Sequence, residues 1–113
     1  MVKQKEIISV ELHNEELDRH SKSEYVVMSR DEYNSATKQF LACEIVYAEE
    51  VKPYLLPINV TGLRRNSKVN TLNVYTIKKN SESDVSQEHI SKVSNKEFLQ
   101  IAQAFELNFN FQI

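Results

Sequence analysis

The order of hydrophobic periods along the chain constrains its fold more than any other feature of the sequence. Short segments with apolar residues at every second position, or in short continuous runs, follow one another through most of the chain, and such segments are typical of β-strands. A sustained helical period occurs only near the C-terminus. Strands in succession with a helix at the end predict an α+β fold: a mostly antiparallel small barrel with a C-terminal helix.

The predicted strands differ in how strongly they indicate burial. They are Glu6–Leu12, Tyr25–Met28, Phe40–Tyr47, Tyr54–Val60 and Lys68–Ile77. The third is an almost continuous apolar run, which indicates burial on both faces of the sheet. The fourth contains Pro57, which cannot donate a ladder hydrogen bond, so this strand is expected at an edge or at a bulge.

Capping patterns locate the helices. Ser94 and Glu97 form a capping box before a predicted helix over Asn95–Leu107. The apolar stripe of that helix consists of Phe98, Ile101, Ala102 and Phe105. A similar pair, Ser29 and Glu32, predicts a short helical turn over Arg30–Ala36. A second short helical turn is predicted over Gln87–Val93. The other predicted features are a turn at Thr61-Gly62, polar loops over His13–Lys22 and Lys78–Asp84, and an end, Phe109–Ile113, that forms either a strand or a docked hydrophobic tail.

Composition excludes several classes of site. The chain has one glycine, Gly62, in 113 residues, which excludes glycine-rich phosphate loops and G-x-S-x-G nucleophile elbows. One cysteine forms no internal disulfide, and the three histidines are scattered, so we expect neither a metal site nor a cofactor. The net charge of −2 gives no global attraction to nucleic acid. No apolar run approaches the roughly 20 residues that span a bilayer, so we expect one cytoplasmic domain over residues 1–113.

A run of cations in the first polar loop is a candidate catalytic site. Arg19, His20 and Lys22 lie within four residues of one another. A histidine near its ordinary pKa exchanges protons at neutral pH, and an arginine or lysine stabilises the charge that develops on a phosphorane. These side chains can therefore bind and cleave a phosphodiester. The alternative is a solvated loop without a chemical role, because surface loops are normally charged.

A second basic cluster is a candidate binding site for RNA. It comprises Arg64, Arg65 and Lys68, just after the predicted turn. Arginine favours bidentate phosphate contacts, and Tyr47 offers a face on which an unpaired base can stack. The alternative is a tyrosine that packs in the core or on the sheet surface. Cys43, inside an apolar strand, is predicted to be a small buried hydrophobe rather than a nucleophile.

The order of the segments also resembles a known family. Tyr25–Thr37 (YVVMSRDEYNSAT) reads as a strand followed by an Asn-containing turn, and Phe40–Tyr47 as the next strand. Gly62–Ile77 turns and re-enters the sheet, and Ile90–Phe109 ends the chain with a helix. In this order the segments resemble the MazF/PemK/Kid-like toxins, and the resemblance extends from about Glu6 to Phe109.

That resemblance implies both a fold and an activity. It implies the small SH3-like barrel of the CcdB/MazF type, usually a homodimer. Most MazF-like members are endoribonucleases that cut single-stranded RNA without a metal or cofactor, and each is bound by a cognate antitoxin. The CcdB branch uses the same fold to poison DNA gyrase and performs no RNA chemistry.

The chain departs from the family at both catalytic positions. The family's second strand is introduced by Arg-Pro, with that Arg catalytic, and the matching pair here is Ser23-Glu24. The strand after the Asn turn ends in Thr-Ser, with that Thr in the site, and the match here is Val46-Tyr47. Neither catalytic residue can be carried over. The candidates to replace the Arg are Arg19, His20 and Lys22, which precede the same strand.

Three hypotheses follow from the sequence. The first is a divergent MazF-like ribonuclease that uses the cations of the first loop. The second is a non-catalytic member of the same fold that inhibits a protein target or regulates a partner. The third is an unrelated small barrel.

Overall fold

Runs of strands are interrupted by one short helix and followed by a longer one in the part of the chain that the computed structural model describes, residues 2–14, 19–78 and 85–109. In chain order the elements are β1 (Glu6–Asn14), β2 (Arg19–Val27), α1 (Asp31–Thr37), β3 (Gln39–Tyr47), β4 (Leu55–Pro57), β5 (Ser67–Asn70), β6 (Tyr75–Lys78), β7 (Val85–Lys92), α2 (Asn95–Glu106) and a 3₁₀ turn (Leu107–Phe109).

The seven strands form one antiparallel sheet. Six of them lie in the order β4-β5-β3-β2-β1-β7, and β6 pairs with β3 outside this order. β3 lies at its centre: it pairs with β2 on one side, and on the other side with β5 near its end and with β6 near its start. The α+β class with a C-terminal helix is confirmed. Among the described residues no ladder joins β4 to β7, so the sheet is open rather than closed into a barrel.

The sheet buries apolar side chains on both faces, because neighbouring residues of a strand point to opposite sides. The face that α2 covers, here called the helix-side core, contains Ile7, Val26, Cys43, Ile45, Ile58, Val69, Val93 and Ile101. The opposite core contains Ile8, Val10, Val27, Phe40 and Ala42. β3 contributes to both, which confirms the prediction that its apolar run is buried on two sides.

The C-terminal helix forms as its capping pattern predicts. The Oγ atom of Ser94 accepts the backbone N–H of Glu97 at 3.1 Å, and the Glu97 carboxylate accepts the backbone N–H of Ser94 at 3.1 Å. Ile101 is fully buried, and Phe98 and Phe105 pack against the helix-side core. α2 has 12 residues, and within the described ranges no helix has both the length and the apolar content to cross a membrane.

The predicted loop over His13–Lys22 is largely strand, so that prediction was wrong. β1 continues to Asn14 and β2 begins at Arg19, with His13 opposite His20 and Asn14 opposite Arg19. Pairing explains the difference: β1 lies between β2 and β7, and the two ladders satisfy backbone groups regardless of side-chain polarity. Residues 15–18 lie outside the described part, as do residues 79–84 of the predicted Lys78–Asp84 loop and residues 110–113 of the predicted tail.

The predicted helical turn over Gln87–Val93 was also wrong, because these residues belong mainly to β7. Ile90 and Val93 have the three-residue spacing of a helix face, and both pack in the helix-side core. A β-bulge opposite Ile7 and Ile8 produces this spacing: Ser91 pairs with Ile7 and His89 with Ile8, and Ile90 is the extra residue.

The single strand predicted over Lys68–Ile77 divides into β5 and β6. The backbone turns at Thr71 and Leu72, and the side chain of Asn70 accepts the backbone N–H of Leu72 at 3.0 Å, an Asx-type contact that favours a turn. Both the N–H and the hydroxyl of Thr71 donate to the carbonyl of Tyr54 at 2.9 Å. The two halves therefore pair with different parts of β3.

The Ser29–Glu32 capping box does not form, although the predicted helical turn does. Arg30 is the N-cap of α1 and makes no side-chain capping bond. The Ser29 hydroxyl instead donates to the side-chain oxygen of the buried Asn34 at 2.5 Å and accepts the N–H of Leu41 at 2.8 Å. Ser29 therefore ties α1 to β3 rather than capping the helix.

The predicted edge strand and the predicted turn at Gly62 both occur in the structure. Pro57 lies in β4, at one end of the sheet as predicted, although this strand has only three residues. Gly62 occupies the predicted turn with φ +100°. A Cβ atom at this position would lie 3.3 Å from Cγ2 of Ile90, so both conformation and space favour glycine here.

Truncating Ile101 should destabilise the protein far more than truncating Leu99. Ile101→Ala removes a fully buried side chain that joins α2 to the sheet, and we expect a loss of about 2–5 kcal/mol in the free energy of unfolding. Leu99, which is 59% exposed on the same helix, is the matched control, and Leu99→Ala should cost less than about 1 kcal/mol. Urea unfolding measures both, and equal losses would contradict the packing described here.

Candidate functional site

A glutamate and a tyrosine meet at the end of the central strand. Glu24 of β2 lies opposite Ile45 of β3, and Tyr47 follows two residues further along β3 on the same face. Diagonal neighbours of this kind are within reach of long side chains. The Tyr47 hydroxyl donates a hydrogen bond to Oε1 of Glu24, and both side chains are half-buried.

An arginine from another part of the chain completes this group. The Arg64 guanidinium carbon lies 4.8 Å from the centroid of the Tyr47 ring, a cation–π contact. Arg64 lies between β4 and β5 and is exposed. The backbone on either side is fixed, because Leu63 packs against the helix-side core and the Arg64 carbonyl accepts the N–H of Ser67 at 3.3 Å. Glu24, Tyr47 and Arg64 are called the strand-end cluster below.

The environment of Tyr47 keeps its hydroxyl protonated. Burial is the largest influence, and the hydrogen bond to Glu24 and that carboxylate's negative charge act in the same direction. The positive charge of Arg64 opposes them. Together they raise the pKa of Tyr47 from 10.0 to about 12. Tyr47 is therefore a hydrogen-bond donor at neutral pH.

Of the predicted RNA-binding residues, the structure brings together Tyr47 and Arg64 but not Lys68. Lys68 alternates with Ser67 and Val69 on β5, so it points to the other face of the sheet from Tyr47. Its Nζ atom donates to the backbone carbonyl of Glu50 at 2.5 Å. Arg65 is exposed beside Arg64.

The predicted catalytic cations lie on the first hairpin. Lys22 is exposed and lies two residues before Glu24 on the same face of β2, opposite Glu11 of β1. Arg19 and His20 begin β2, opposite Asn14 and His13, and their side chains are outside the described part of the structure. β2 therefore connects the predicted cations directly to the strand-end cluster.

Sequence reasoning missed Glu24 as a candidate functional residue. It appeared only as a departure from the Arg-Pro pair of the resembled family. Glu24 lies just before the predicted strand Tyr25–Met28, and its partner Tyr47 lies on another strand, 23 residues away in sequence. A single sequence does not give the register that joins them.

Two other predicted features can be compared with the structure. Cys43 is fully buried, and burial raises the pKa of its thiol from 9.0 to about 12, which confirms its interpretation as a hydrophobe rather than a nucleophile. Among the residues that the structure describes, no three His, Cys, Asp or Glu side chains group closely enough to hold a metal ion.

Comparison with known proteins identifies the family. A family profile described as PemK-like, MazF-like toxin of type II toxin–antitoxin system matches residues 3–109. The chain belongs to this family. No match to its sequence was found among curated proteins.

Solved structures share the fold of this PemK/MazF-family chain at low sequence identity. A chain of the MazE–MazF complex from Deinococcus radiodurans matches with a TM-score of 0.79 at 11% identity, covering 98% of each chain. A mycobacterial endoribonuclease in complex with its cognate antitoxin matches with a TM-score of 0.74 at 12% identity, covering 100% of this chain and 99% of the other. The Mycobacterium tuberculosis toxin MazF-mt6 matches with a TM-score of 0.67 at 15% identity, covering 93% and 99%.

Removing the charge of Glu24 should lower the pKa of Tyr47. In Glu24→Gln the carboxylate no longer opposes phenolate formation, so this pKa should fall from about 12 toward 10.0. Arg64→Ala should instead raise the pKa of Tyr47 above its wild-type value, because the positive charge of Arg64 favours the phenolate. NMR titration of ring-labelled tyrosine measures both shifts. Glu44→Gln is the matched control on β3: Glu44 acts on Tyr25, and its substitution should leave Tyr47 unchanged.

The raised pKa of Tyr47 in the wild type also makes the stability of the folded protein depend on pH. Because the pKa of folded Tyr47 is above its value in the unfolded chain, the neutral phenol contributes stability that is fully present below pH 10 and is lost as the pH rises toward about 12. The alkaline loss of stability should be smaller in Tyr47→Phe than in the wild type. An equal loss in both proteins would contradict the environment described for Tyr47.

Proposed function

We propose that this chain is the toxin of a toxin–antitoxin pair and a metal-independent endoribonuclease on single-stranded RNA, acting in the cytoplasm as a homodimer. The observation that carries the proposal is the contact between Arg64 and Tyr47. It holds an exposed guanidinium against an aromatic face at the end of the central strand, in a fold shared with endoribonucleases. A cation beside an aromatic ring suits the backbone and the unstacked bases of single-stranded RNA.

The binding surface that we propose extends on both sides of this contact. Arg65 is exposed next to Arg64 and adds a second cation for the RNA backbone. Lys68 lies on the other sheet face, so its contribution is limited to a strand of RNA that passes around the β4 edge of the sheet. Tyr47 provides the stacking face, with Arg64 above one side of it.

The catalytic cations are proposed to come from the first hairpin. Arg19, His20 and Lys22 would bind the scissile phosphate and stabilise the phosphorane charge. Lys22 supports this assignment because it is exposed on the same face of β2 as Glu24. The 2′-hydroxyl of the RNA would attack the adjacent phosphorus and leave a 2′,3′-cyclic phosphate.

A cognate antitoxin and a second copy of the chain are the proposed protein partners. The structural match to an endoribonuclease bound to its cognate antitoxin supports the first. Exposed apolar side chains around the β5–β6 turn support self-association, since Leu72, Val74 and Tyr75 are 41–51% exposed in one short segment.

A non-catalytic, protein-binding member of the fold is the second candidate function. Ser23-Glu24 favours it, because this pair, which matches Arg-Pro of the resembled family, has no cation, and its carboxylate repels a phosphate. This candidate predicts no RNA cleavage at any protein concentration and a stable complex with a protein target.

The purified chain should cleave single-stranded RNA in the presence of EDTA. Arg19→Ala and His20→Ala should each reduce the rate by at least about 10²-fold without changing the melting temperature, because each removes a group that stabilises the phosphorane. Arg30→Ala is the matched control, since Arg30 is an exposed arginine at the N-cap of α1, where it forms an ion pair with the neighbouring Glu32.

Expression in bacteria separates the candidates. Growth arrest with cut RNA supports the ribonuclease, and growth arrest with intact RNA supports a protein target. If Arg19→Ala and His20→Ala both cleave like the wild type, the first hairpin is not the source of the catalytic cations.

A further inference from the structure

We propose that Glu24 and Tyr47 form a proton-transfer pair for RNA cleavage, with Glu24 as the general base and Tyr47 as the general acid, and that Arg64 positions Tyr47 and stabilises the phosphorane. The inference rests on the proposed ribonuclease function and assigns chemistry to Glu24 and Tyr47, which follow directly after Ser23 and Val46, the matches of the resembled family's two catalytic residues. Its substrate class is single-stranded RNA with a free 2′-hydroxyl beside the scissile phosphate.

The geometry of the strand-end cluster supplies two different proton-transfer groups side by side. Tyr47 donates to one carboxylate oxygen, Oε1 of Glu24, which leaves Oε2 to accept a proton from the substrate. Both side chains are half-buried rather than enclosed, so a substrate can reach them. They emerge from paired strands, which hold the acid and the base in a fixed relation.

The proton transfers balance within the pair. The 2′-oxygen attacks phosphorus, and its proton passes to Oε2 of Glu24. The bond between phosphorus and the 5′-oxygen breaks, and the Tyr47 hydroxyl gives its proton to that leaving oxygen. The protonated Glu24 carboxyl then rotates so that its O–H faces Tyr47 and donates this proton to the Tyr47 phenolate. The products are a 2′,3′-cyclic phosphate and a free 5′-hydroxyl, and the pair is restored without a metal or cofactor.

The electrostatics of the cluster fit this division of roles. A tyrosine whose pKa is raised to about 12 keeps its proton at neutral pH and gives it only to a strongly basic atom such as a leaving alkoxide. Arg64 lies 4.8 Å from the ring centroid and stabilises the phenolate while it exists. Its exposed guanidinium also has donors available for a non-bridging phosphate oxygen.

Single-turnover cleavage of a random-sequence single-stranded RNA pool by the full-length chain in EDTA tests the assignment. Glu24→Gln and Tyr47→Phe should each slow cleavage by about 10²–10⁴-fold, the usual contribution of general acid–base catalysis. The matched controls are Glu44→Gln and Tyr25→Phe. These residues lie opposite each other on β3 and β2, on the sheet face away from the cluster, and their variants should cleave like the wild type.

A second substrate separates catalysis from a structural role. When sulfur replaces the bridging 5′-oxygen, the leaving thiolate needs no proton. This substrate should therefore restore cleavage by Tyr47→Phe to within about tenfold of the wild type, but should not restore Glu24→Gln, which still lacks the base. A variant that is merely misfolded is not rescued by a better leaving group.

The possible outcomes are distinct. Wild-type cleavage with loss in both variants and selective rescue of Tyr47→Phe supports the proposal. Wild-type cleavage that Glu24→Gln retains within twofold at every pH overturns it while leaving the ribonuclease function intact. Failure of Tyr47→Phe to respond to the sulfur substrate overturns the assignment of the acid. Absence of cleavage by the wild type overturns both the proposed function and this inference.

Discussion

The antiparallel register between β2 and β3 is the constraint on which the rest of the structure depends. With Glu24 opposite Ile45 and Val26 opposite Cys43, Val26 faces the helix-side core and Glu24 faces the same side at the strand end. A slip of one residue would exchange the two faces of β2. It would turn Val26 toward the opposite core, bring Val27 to the helix-side core and separate Glu24 from Tyr47. The energy of core burial therefore also fixes the geometry of the strand-end cluster.

The core positions the third member of the cluster as well. Leu63 packs against the helix-side core, and Gly62, with φ +100°, makes the turn that brings Arg64 toward β3. The one glycine of the chain thus lies where the backbone conformation and the nearby side chain of Ile90 both require it. The near-absence of glycine excludes phosphate-binding loops, and the glycine that is present helps to hold an arginine beside an aromatic ring.

Membership of the family does not by itself determine the chemistry of this chain. The profile match shows the family and the structural matches show the fold, but at 11–15% identity the structural matches do not assign roles to individual residues. In the resemblance drawn from the sequence, Ser23-Glu24 and Val46-Tyr47 match the family's Arg-Pro and Thr-Ser pairs, so neither the Arg nor the Thr is present. Since function depends on the site rather than on the fold, the local contacts of Glu24, Tyr47 and Arg64 carry the functional argument.

The sequence by itself determined the elements whose signals are local. The capping box at Ser94 and the stripe containing Ile101 predicted α2, the apolar run predicted β3, and Thr61-Gly62 predicted the turn, because each depends on residues close together in the chain. Only the tertiary structure decided the strand character of the first hairpin and of β7, the division of β5 from β6, and the meeting of Glu24, Tyr47 and Arg64. These features depend on which strand supplies the hydrogen-bond partner and in what register, and that choice is made by burial across the whole sheet.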